Sequence, residues 1–99
     1  MSKVKVMIIC GFGLGSSMVL KMTLDDVLKE ENIDVETFCS DSYVGTGEQY
    51  DIVFTSQELV YLFENNPQPT VVISNFLSKD EIRNKGLEPL REVIENHGK

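Results

Sequence analysis

The chain has 99 residues, 41% of them hydrophobic, and a formal net charge of -7 at pH 7. This length predicts one domain with a single hydrophobic core. The acidic charge argues against a general nucleic-acid-binding role, because such proteins carry basic surfaces that neutralise phosphates. No apolar run approaches the roughly 20 residues of a membrane-spanning helix, and the N-terminus lacks the signal-peptide pattern. We therefore expect a cytoplasmic protein that does not itself span a membrane.

Metal and redox chemistry have few candidate residues: Cys10, Cys39 and His97. Their spacing matches no zinc signature, and a reducing cytosol disfavours a disulfide. We expect neither a metal site nor a bound cofactor. Cys39 is expected to be a half-buried thiol on an edge strand rather than a redox partner of Cys10.

Apolar periodicity predicts alternating strands and helices along the chain. The predicted elements are a strand at residues 4–9, a helix at 17–31, an edge strand at 33–39, a loop at 40–49, a strand at 51–54, a helix that Ser56 caps and that ends before Pro67, a strand at 70–73, and two helices between 78 and 97.

Particular residues mark the ends of these helices. Asn32 predicts the C-terminal stop of the first helix. Ser78 and Glu81 fit the capping-box pattern S-x-x-E at the start of another. Gly86 is expected to interrupt that helix, and Pro89 to lie in the first turn of a last one.

This order of elements predicts an α/β fold, namely a single-domain, doubly wound, four-stranded parallel sheet of order 2-1-3-4 with helices on both faces. Ligands of such sheets bind beyond the carboxyl ends of the strands, at the switch point between strands 1 and 3. The loop that starts at Cys10 follows strand 1. We expect the loops around residues 39–42, 55–56 and 74–78 to surround it.

The candidate site is the glycine-rich segment that begins at Cys10. Glycines at positions 11, 13 and 15 permit positive φ and a close approach of the backbone to a ligand, and Ser16 or Ser17 is predicted to cap the helix that follows. Inward-facing amides and the helix dipole favour an anion. The same environment stabilises a thiolate, which is the nucleophilic form of cysteine. The pattern thus predicts that Cys10 carries or attacks a phosphoryl group.

Two other functions are compatible with this segment. A low-molecular-weight cysteine phosphatase has a C-x5-R-S loop, but its arginine would fall at Ser16, and that guanidinium stabilises the phosphoryl group during transfer to water. A non-catalytic module could instead bind an anion or a partner through the loop. A Walker A motif is excluded, because the Gly-Lys-Ser/Thr ending is absent.

One run of residues is typical of a known family: Cys10-Gly11-x-Gly13-x-Gly15-Ser16-Ser17-Met18, followed by Lys21-Met22. It resembles the enzyme IIB subunits of the sugar phosphotransferase system (PTS), most closely the ascorbate-type proteins of the lactose/galactitol/ascorbate-like superfamily. The resemblance extends over essentially the whole chain, so residues 1–99 are expected to form one IIB-like domain. Phe12 stands where this subgroup more often has a small polar residue.

The resemblance implies a phosphocarrier. Cys10 would accept a phosphoryl group from a phosphohistidine of the IIA component and pass it to a carbohydrate, ascorbate- or galactitol-like, bound in the membrane IIC component. We expect a monomer with transient partners. The phosphate-binding residues that the resemblance implies are Gly11, Phe12, Gly13, Leu14, Gly15, Ser16 and Ser17.

Overall fold

The structure, a computed structural model, describes residues 3–9, 14–40 and 49–97, without the side chains of residues 14–16. Its elements, in chain order, are β1 (Lys5–Ile9), α1 (Leu14–Glu30), β2 (Glu36–Cys39), β3 (Ile52–Thr55), a 3-10 helix (Val60–Phe63), β4 (Thr70–Val72) and α2 (Lys79–His97).

The four strands form one parallel sheet in the order β2-β1-β3-β4. β1 lies inside the sheet, where Ile8 pairs with Cys39 of β2 and with Phe54 of β3. β2 is an edge strand, as its alternating polar and apolar residues predict. The predicted α/β fold and strand order are confirmed.

Both α-helices cover the same face of the sheet. Leu20, Leu24 and Val27 of α1 and Ile82 and Leu90 of α2 are fully buried there. Each such side chain contributes about 1.5–3 kcal/mol by leaving water. The strand-side residues of this core are Val4, Val6, Ile8, Ile52, Phe54, Val71 and Ile73.

The opposite face is covered by the 3-10 helix, where a longer helix capped by Ser56 is predicted. The helical run spans only Val60–Phe63, and its N-cap is Leu59, without a side-chain cap. The Ser56 carbonyl accepts a hydrogen bond from the Leu59 N–H at 3.1 Å, so Ser56 starts a turn through its backbone. Aromatic and β-branched residues favour an α-helix weakly, and Pro67 follows closely, which explains why the run stays short.

This second face has its own small core. Met7, Ile9 and Val53 of the sheet pack against Leu59 and Phe63. Helical structure therefore covers both faces, as predicted, but one face carries two α-helices and the other a single 3-10 turn.

α2 is one continuous helix, so the predicted interruption at Gly86 is wrong. A Cβ at Gly86 would lie 2.6 Å from the Phe54 ring. The glycine therefore lets α2 approach β3 closely. Pro89 lies inside the helix rather than in a first turn. It lacks the N–H of a helical hydrogen bond, but the buried Ile82 and Leu90 hold the helix to the sheet on both sides of it.

The predicted end of α1 at Asn32 is confirmed. Asn32 has a φ of 58°, a left-handed conformation that asparagine tolerates better than most residues. The Ile33 N–H donates to the Leu28 carbonyl at 2.9 Å, and the Asn32 N–H donates to the Lys29 carbonyl at 3.3 Å. These two bonds form a Schellman motif, which satisfies carbonyls that the helix end leaves open.

We predict that Gly86→Ala destabilises the protein by about 1–3 kcal/mol, because the added methyl group overlaps the Phe54 ring. Helix propensity alone would give the opposite sign, a gain of about 1 kcal/mol. Urea unfolding measures the difference. Asn84→Ala, at an exposed position of the same helix, is the control, and a stabilised Gly86→Ala protein would contradict the packing argument.

Candidate functional site

The N-terminal turn of α1 contains four of the predicted phosphate-binding residues: Leu14, Gly15, Ser16 and Ser17. The helix begins at Leu14, so the prediction that Ser16 or Ser17 caps it is wrong. A glycine costs a helix only about 1 kcal/mol, which allows the helix to start before Gly15. Amides in the first turn have no carbonyl partner within their own helix, and the dipole there favours negative charge.

The other predicted site residues, Cys10, Gly11, Phe12 and Gly13, lie outside the described residues. Their position along the chain is nevertheless informative. Residues 10–13 alone separate the end of β1 at Ile9 from the start of α1 at Leu14. The first turn of α1 is therefore tethered to the carboxyl end of β1 by a short connection.

The carboxyl ends of the strands meet at one edge of the sheet, which we call the carboxyl edge. Ile9 pairs with Thr55, and the Thr55 carbonyl accepts a hydrogen bond from the Ile73 N–H at 2.9 Å. On the other side of β1, the Ser40 N–H donates to the Ile8 carbonyl at 3.0 Å. The described parts of the loops after β2, β3 and β4 therefore begin at the carboxyl edge, as the sequence predicts, with those after β2 and β3 on either side of β1.

Two hydroxyls at this edge are buried without a partner. Thr55 is 0% exposed and Ser56 is 3% exposed. Among the described residues, neither Thr55 Oγ1 nor Ser56 Oγ has a hydrogen-bond partner. An unpaired buried hydroxyl costs about 1–3 kcal/mol. The sequence predicts a helix cap at Ser56 instead, and its one signal of this feature is a Thr-Ser pair at the end of a buried strand.

A cleft of about 300 Å³ opens beside Ser56, between the loops that follow β3 and β4. It lies at the carboxyl edge, on the far side of β3 from β2. Its lining residues are Ser56, Gln57, Glu58, Ile73, Ser74 and Phe76.

Glu81 fixes the loop that forms one wall of this cleft. Its carboxylate accepts hydrogen bonds from the Ser74 N–H at 2.7 Å and the Asn75 N–H at 2.8 Å, and it pairs with Lys85 at 2.6 Å. Burial raises the pKa of Glu81, but these hydrogen bonds outweigh it and lower the pKa to about 2. The loop is thus held by α2.

The predicted capping box is half formed. Ser78 Oγ accepts a hydrogen bond from the Glu81 N–H at 3.1 Å, which confirms Ser78 as the cap of α2. The Glu81 carboxylate does not return to the Ser78 amide, which donates instead to the Asn75 carbonyl at 3.0 Å. The Glu81 carboxylate accepts hydrogen bonds from the Ser74 and Asn75 amides instead, so the motif also fixes the loop at the end of β4.

Three exposed apolar side chains lie on the first half of α1: Met18, Val19 and Met22. We call them the α1 apolar surface. Cys39, at the end of β2, touches this surface, with its Sγ 3.8 Å from the Met18 Sδ. Cys39 is half-buried, as predicted. Exposed apolar groups next to a site are typical of protein contacts, and methionine adapts to differently shaped partners.

Lys21, which belongs to the run that carries the family resemblance, makes a structural contact. Its Nζ lies 2.7 Å from Asp25 Oδ2, and Asp25 Oδ1 accepts a hydrogen bond from Thr37 Oγ1 at 2.7 Å. The three side chains join α1 to β2. They hold the helix that bears the α1 apolar surface against the edge of the sheet.

A cleft of about 450 Å³ lies at the opposite, amino edge, lined by Lys3, Lys5, Gln49, Tyr50, Asp51, Gln68 and His97. Asp51 forms two hydrogen bonds with β1 at this edge. Its carboxylate accepts a hydrogen bond from the Lys5 N–H at 2.8 Å, and its own N–H donates to the Lys5 carbonyl at 2.9 Å. His97 Nδ1 lies 3.9 Å from the same carboxylate. We assign the two hydrogen bonds between Asp51 and Lys5 to strand pairing.

Within residues 3–9, 14–40 and 49–97, no group of three or more His, Cys, Asp or Glu residues is placed to hold a metal ion. The helices of the same ranges are too short or too polar to cross a membrane.

Known proteins resemble the chain over most of its length. The family model for "PTS system, Lactose/Cellobiose specific IIB subunit" matches residues 5–86. The ascorbate-specific PTS system EIIB components of Salmonella typhimurium and Escherichia coli O157:H7 are each 32% identical over 92 residues, which cover 90% of this chain and 91% of theirs.

One solved structure agrees with the fold. The lactose-specific IIB component domain from Streptococcus pneumoniae has a TM-score of 0.51 with this chain. The superposition covers 97% of this chain and 99% of that domain. At 14% identity this likeness concerns the fold alone.

We predict that Glu81→Gln destabilises the protein at pH 7 by about 2 kcal/mol, because hydrogen bonds to a charged group become hydrogen bonds to a neutral amide. The folded-state pKa of about 2 lies below 4.5, the ordinary pKa of a glutamate carboxyl. The stabilisation by the carboxylate is therefore complete above pH 4.5 and is lost as the pH falls from 4.5 towards 2.

Urea unfolding at pH 7 and at pH 3 tests this prediction. The deficit of Glu81→Gln relative to the unsubstituted protein should shrink at pH 3. Glu88→Gln, at an exposed position of α2, is the matched control. An equal deficit at both pH values would contradict the assignment of the stabilisation to the ionised carboxylate.

Proposed function

The chain belongs to the lactose/cellobiose-specific IIB subunits of the sugar phosphotransferase system, and from this membership we propose that Cys10 is its phosphoryl carrier. Cys10 receives the phosphoryl group from a phosphohistidine of a IIA component and delivers it to a carbohydrate bound by a membrane IIC component. The observation that carries this proposal is the position of Cys10, directly after the buried strand β1 and four residues before the first turn of α1.

The proposed reaction has two balanced steps. The Cys10 thiol first loses its proton, and the thiolate attacks phosphorus, so that an S–P bond forms while the N–P bond to histidine breaks. The leaving imidazole nitrogen takes up one proton, which in the net reaction is the proton that the thiol lost, and becomes neutral. A hydroxyl of the carbohydrate then attacks the same phosphorus. The new O–P bond forms, the S–P bond breaks, the hydroxyl proton is released to a base or to water, and the thiolate is restored. Neither step needs an oxidant or a reductant.

The N-terminal turn of α1 supports the binding of the transferred group. Backbone N–H groups and the positive end of a helix stabilise a phosphate, and they stabilise a thiolate by the same means. We propose that the group is held by the segment that follows Cys10, with the amides of its backbone and the hydroxyls of its serines as donors. The residues of this segment are Gly11, Phe12, Gly13, Leu14, Gly15, Ser16 and Ser17.

Ser16 favours a carrier over a phosphatase. In the C-x5-R-S loop of the low-molecular-weight phosphatases, an arginine occupies the corresponding place and stabilises the phosphoryl group as it passes to water. Here a serine stands in the first turn of α1. Without the guanidinium, transfer to water is slow, and the phosphoryl group remains available to the next component.

The relatives named above are ascorbate-specific, so ascorbate is the first carbohydrate to test with this chain. We propose that the protein is a cytoplasmic monomer that meets its partners transiently. The α1 apolar surface lies on the helix that starts next to Cys10, and it offers those partners an apolar contact.

Intact-mass measurement tests the carrier role. After incubation with phosphoenolpyruvate, the general PTS proteins and an ascorbate-type IIA component, the protein should gain about 80 Da, one phosphoryl group. Cys10→Ser should show no gain. Cys39→Ser, which removes the other cysteine, is the matched control and should be phosphorylated like the unsubstituted chain.

Two results would contradict the proposal. A gain of mass that persists in Cys10→Ser would place the phosphoryl group elsewhere. No gain with any IIA component, together with release of phosphate from an aryl phosphate, would instead identify a phosphatase.

A further inference from the structure

Ser56 is a buried hydroxyl that lacks a partner next to the proposed carrier residue. It is 3% exposed, and its Oγ has no hydrogen-bond partner among the described residues. Alanine at this position would avoid the penalty of an unpaired buried hydroxyl. A buried polar group of this kind needs a specific reason, such as a partner that arrives with a ligand.

The register of the sheet places Ser56 close to the residue that follows β1. Thr55 pairs with Ile9, the residue before Cys10. Adjacent strands lie about 4.8 Å apart. Continuation of this register by one residue would place position 56 opposite position 10, within reach of a group carried there.

Ser56 lies on the same side of the sheet as α1. It shares the cleft of about 300 Å³ with Ile73 and Phe76, and these two side chains belong to the core under α1 and α2. A phosphoryl group on Cys10 that lay on this face would meet the amides of the α1 N-terminal turn from one side and the end of β3, with the Ser56 hydroxyl, from the other.

Thr55 provides a contrast. Side chains alternate between faces along a strand, and Val53 packs on the side of the 3-10 helix. Thr55 therefore points to that side, away from α1, although its hydroxyl is also buried and unpaired within the described structure.

We propose that the Ser56 hydroxyl donates a hydrogen bond to the phosphoryl group on Cys10 and is a positioning residue for its transfer. This inference rests on the proposed carrier role of Cys10. Among the described residues, no lysine or arginine lines the cleft beside Ser56, and Glu58 is the one charged residue there. The added donor is therefore neutral. It stabilises the phosphoryl group without supplying the cation that assists transfer to water.

The equilibrium of phosphoryl transfer with the IIA component tests the role of Ser56. Phosphorylated IIA is mixed with the full chain at several ratios, and intact mass gives the fraction of each protein that carries the phosphoryl group. Loss of one hydrogen bond to a charged group predicts that Ser56→Ala lowers the transfer equilibrium constant about tenfold. Thr55→Val, which removes the neighbouring buried hydroxyl on the opposite face, should leave that constant unchanged.

Two further measurements separate this role from a structural one. Ser56→Thr keeps the hydroxyl and should restore most of the equilibrium constant. The melting temperature of unphosphorylated Ser56→Ala should equal or exceed that of the unsubstituted chain, because an unpaired buried hydroxyl has been removed.

The outcomes are distinct. An equilibrium constant for Ser56→Ala that matches the unsubstituted chain, or one that falls equally in Thr55→Val, would overturn the role of Ser56 while leaving the carrier role in place. Absence of any phosphoryl transfer to the unsubstituted chain would overturn both.

Discussion

The parallel pairing of β1 with β3 is the constraint from which the arrangement of the candidate site follows. Val6 to Ile9 lie in register with Ile52 to Thr55, and all of these side chains are buried. Because the period of a strand is two residues, a shift of one residue would exchange the two faces of β3. Phe54 would lose its place against Gly86, and Ser56 would turn away from α1. Packing on both faces therefore fixes which side chains lie at the carboxyl edge.

The two sides of the sheet contribute differently to the site. The side of α1 and α2 contains the larger core and both full helices. It also carries the N-terminal turn of α1 and, through Glu81, the hydrogen bonds that hold Ser74 and Asn75 at the end of β4. In the proposed function, α1 supplies donors for the phosphoryl group, while α2 fixes one wall of the cleft beside Ser56. The 3-10 helix on the opposite side packs against the smaller core.

Much of the fold is predictable from local patterns in the sequence. Buried apolar runs identify β1, β3 and β4, and the handedness of parallel crossovers gives the strand order. Asn32 ends α1 as expected, because its left-handed conformation is a property of the residue itself. Ser78 caps α2 for a similar reason, since the cap forms within a few residues of chain. In each case the determinant is local.

Two of the wrong predictions, at Gly86 and Ser56, concern residues whose roles depend on how separate elements pack. Gly86 looks like a helix break, but its role is to admit the Phe54 ring, which lies on a different element. Ser56 looks like a helix cap, but the helix after it is a short 3-10 turn and its hydroxyl is buried at the carboxyl edge. Cys10 is singled out by the glycines around it, whereas a lone buried hydroxyl leaves no pattern in the sequence. The sequence therefore indicates the proposed nucleophile but not Ser56, the positioning residue that we propose at the end of β3.

The central claim is that the carboxyl edge stabilises an anion at Cys10. Alkylation by iodoacetamide at pH 7 tests it without any PTS partner, by comparing Cys39→Ser, which retains Cys10, with Cys10→Ser, which retains Cys39. A stabilised thiolate predicts that Cys10 reacts at least about tenfold faster than Cys39, and that inorganic phosphate slows Cys10 while chloride at equal ionic strength does not. Equal rates for the two cysteines, with no protection by phosphate, would contradict the account.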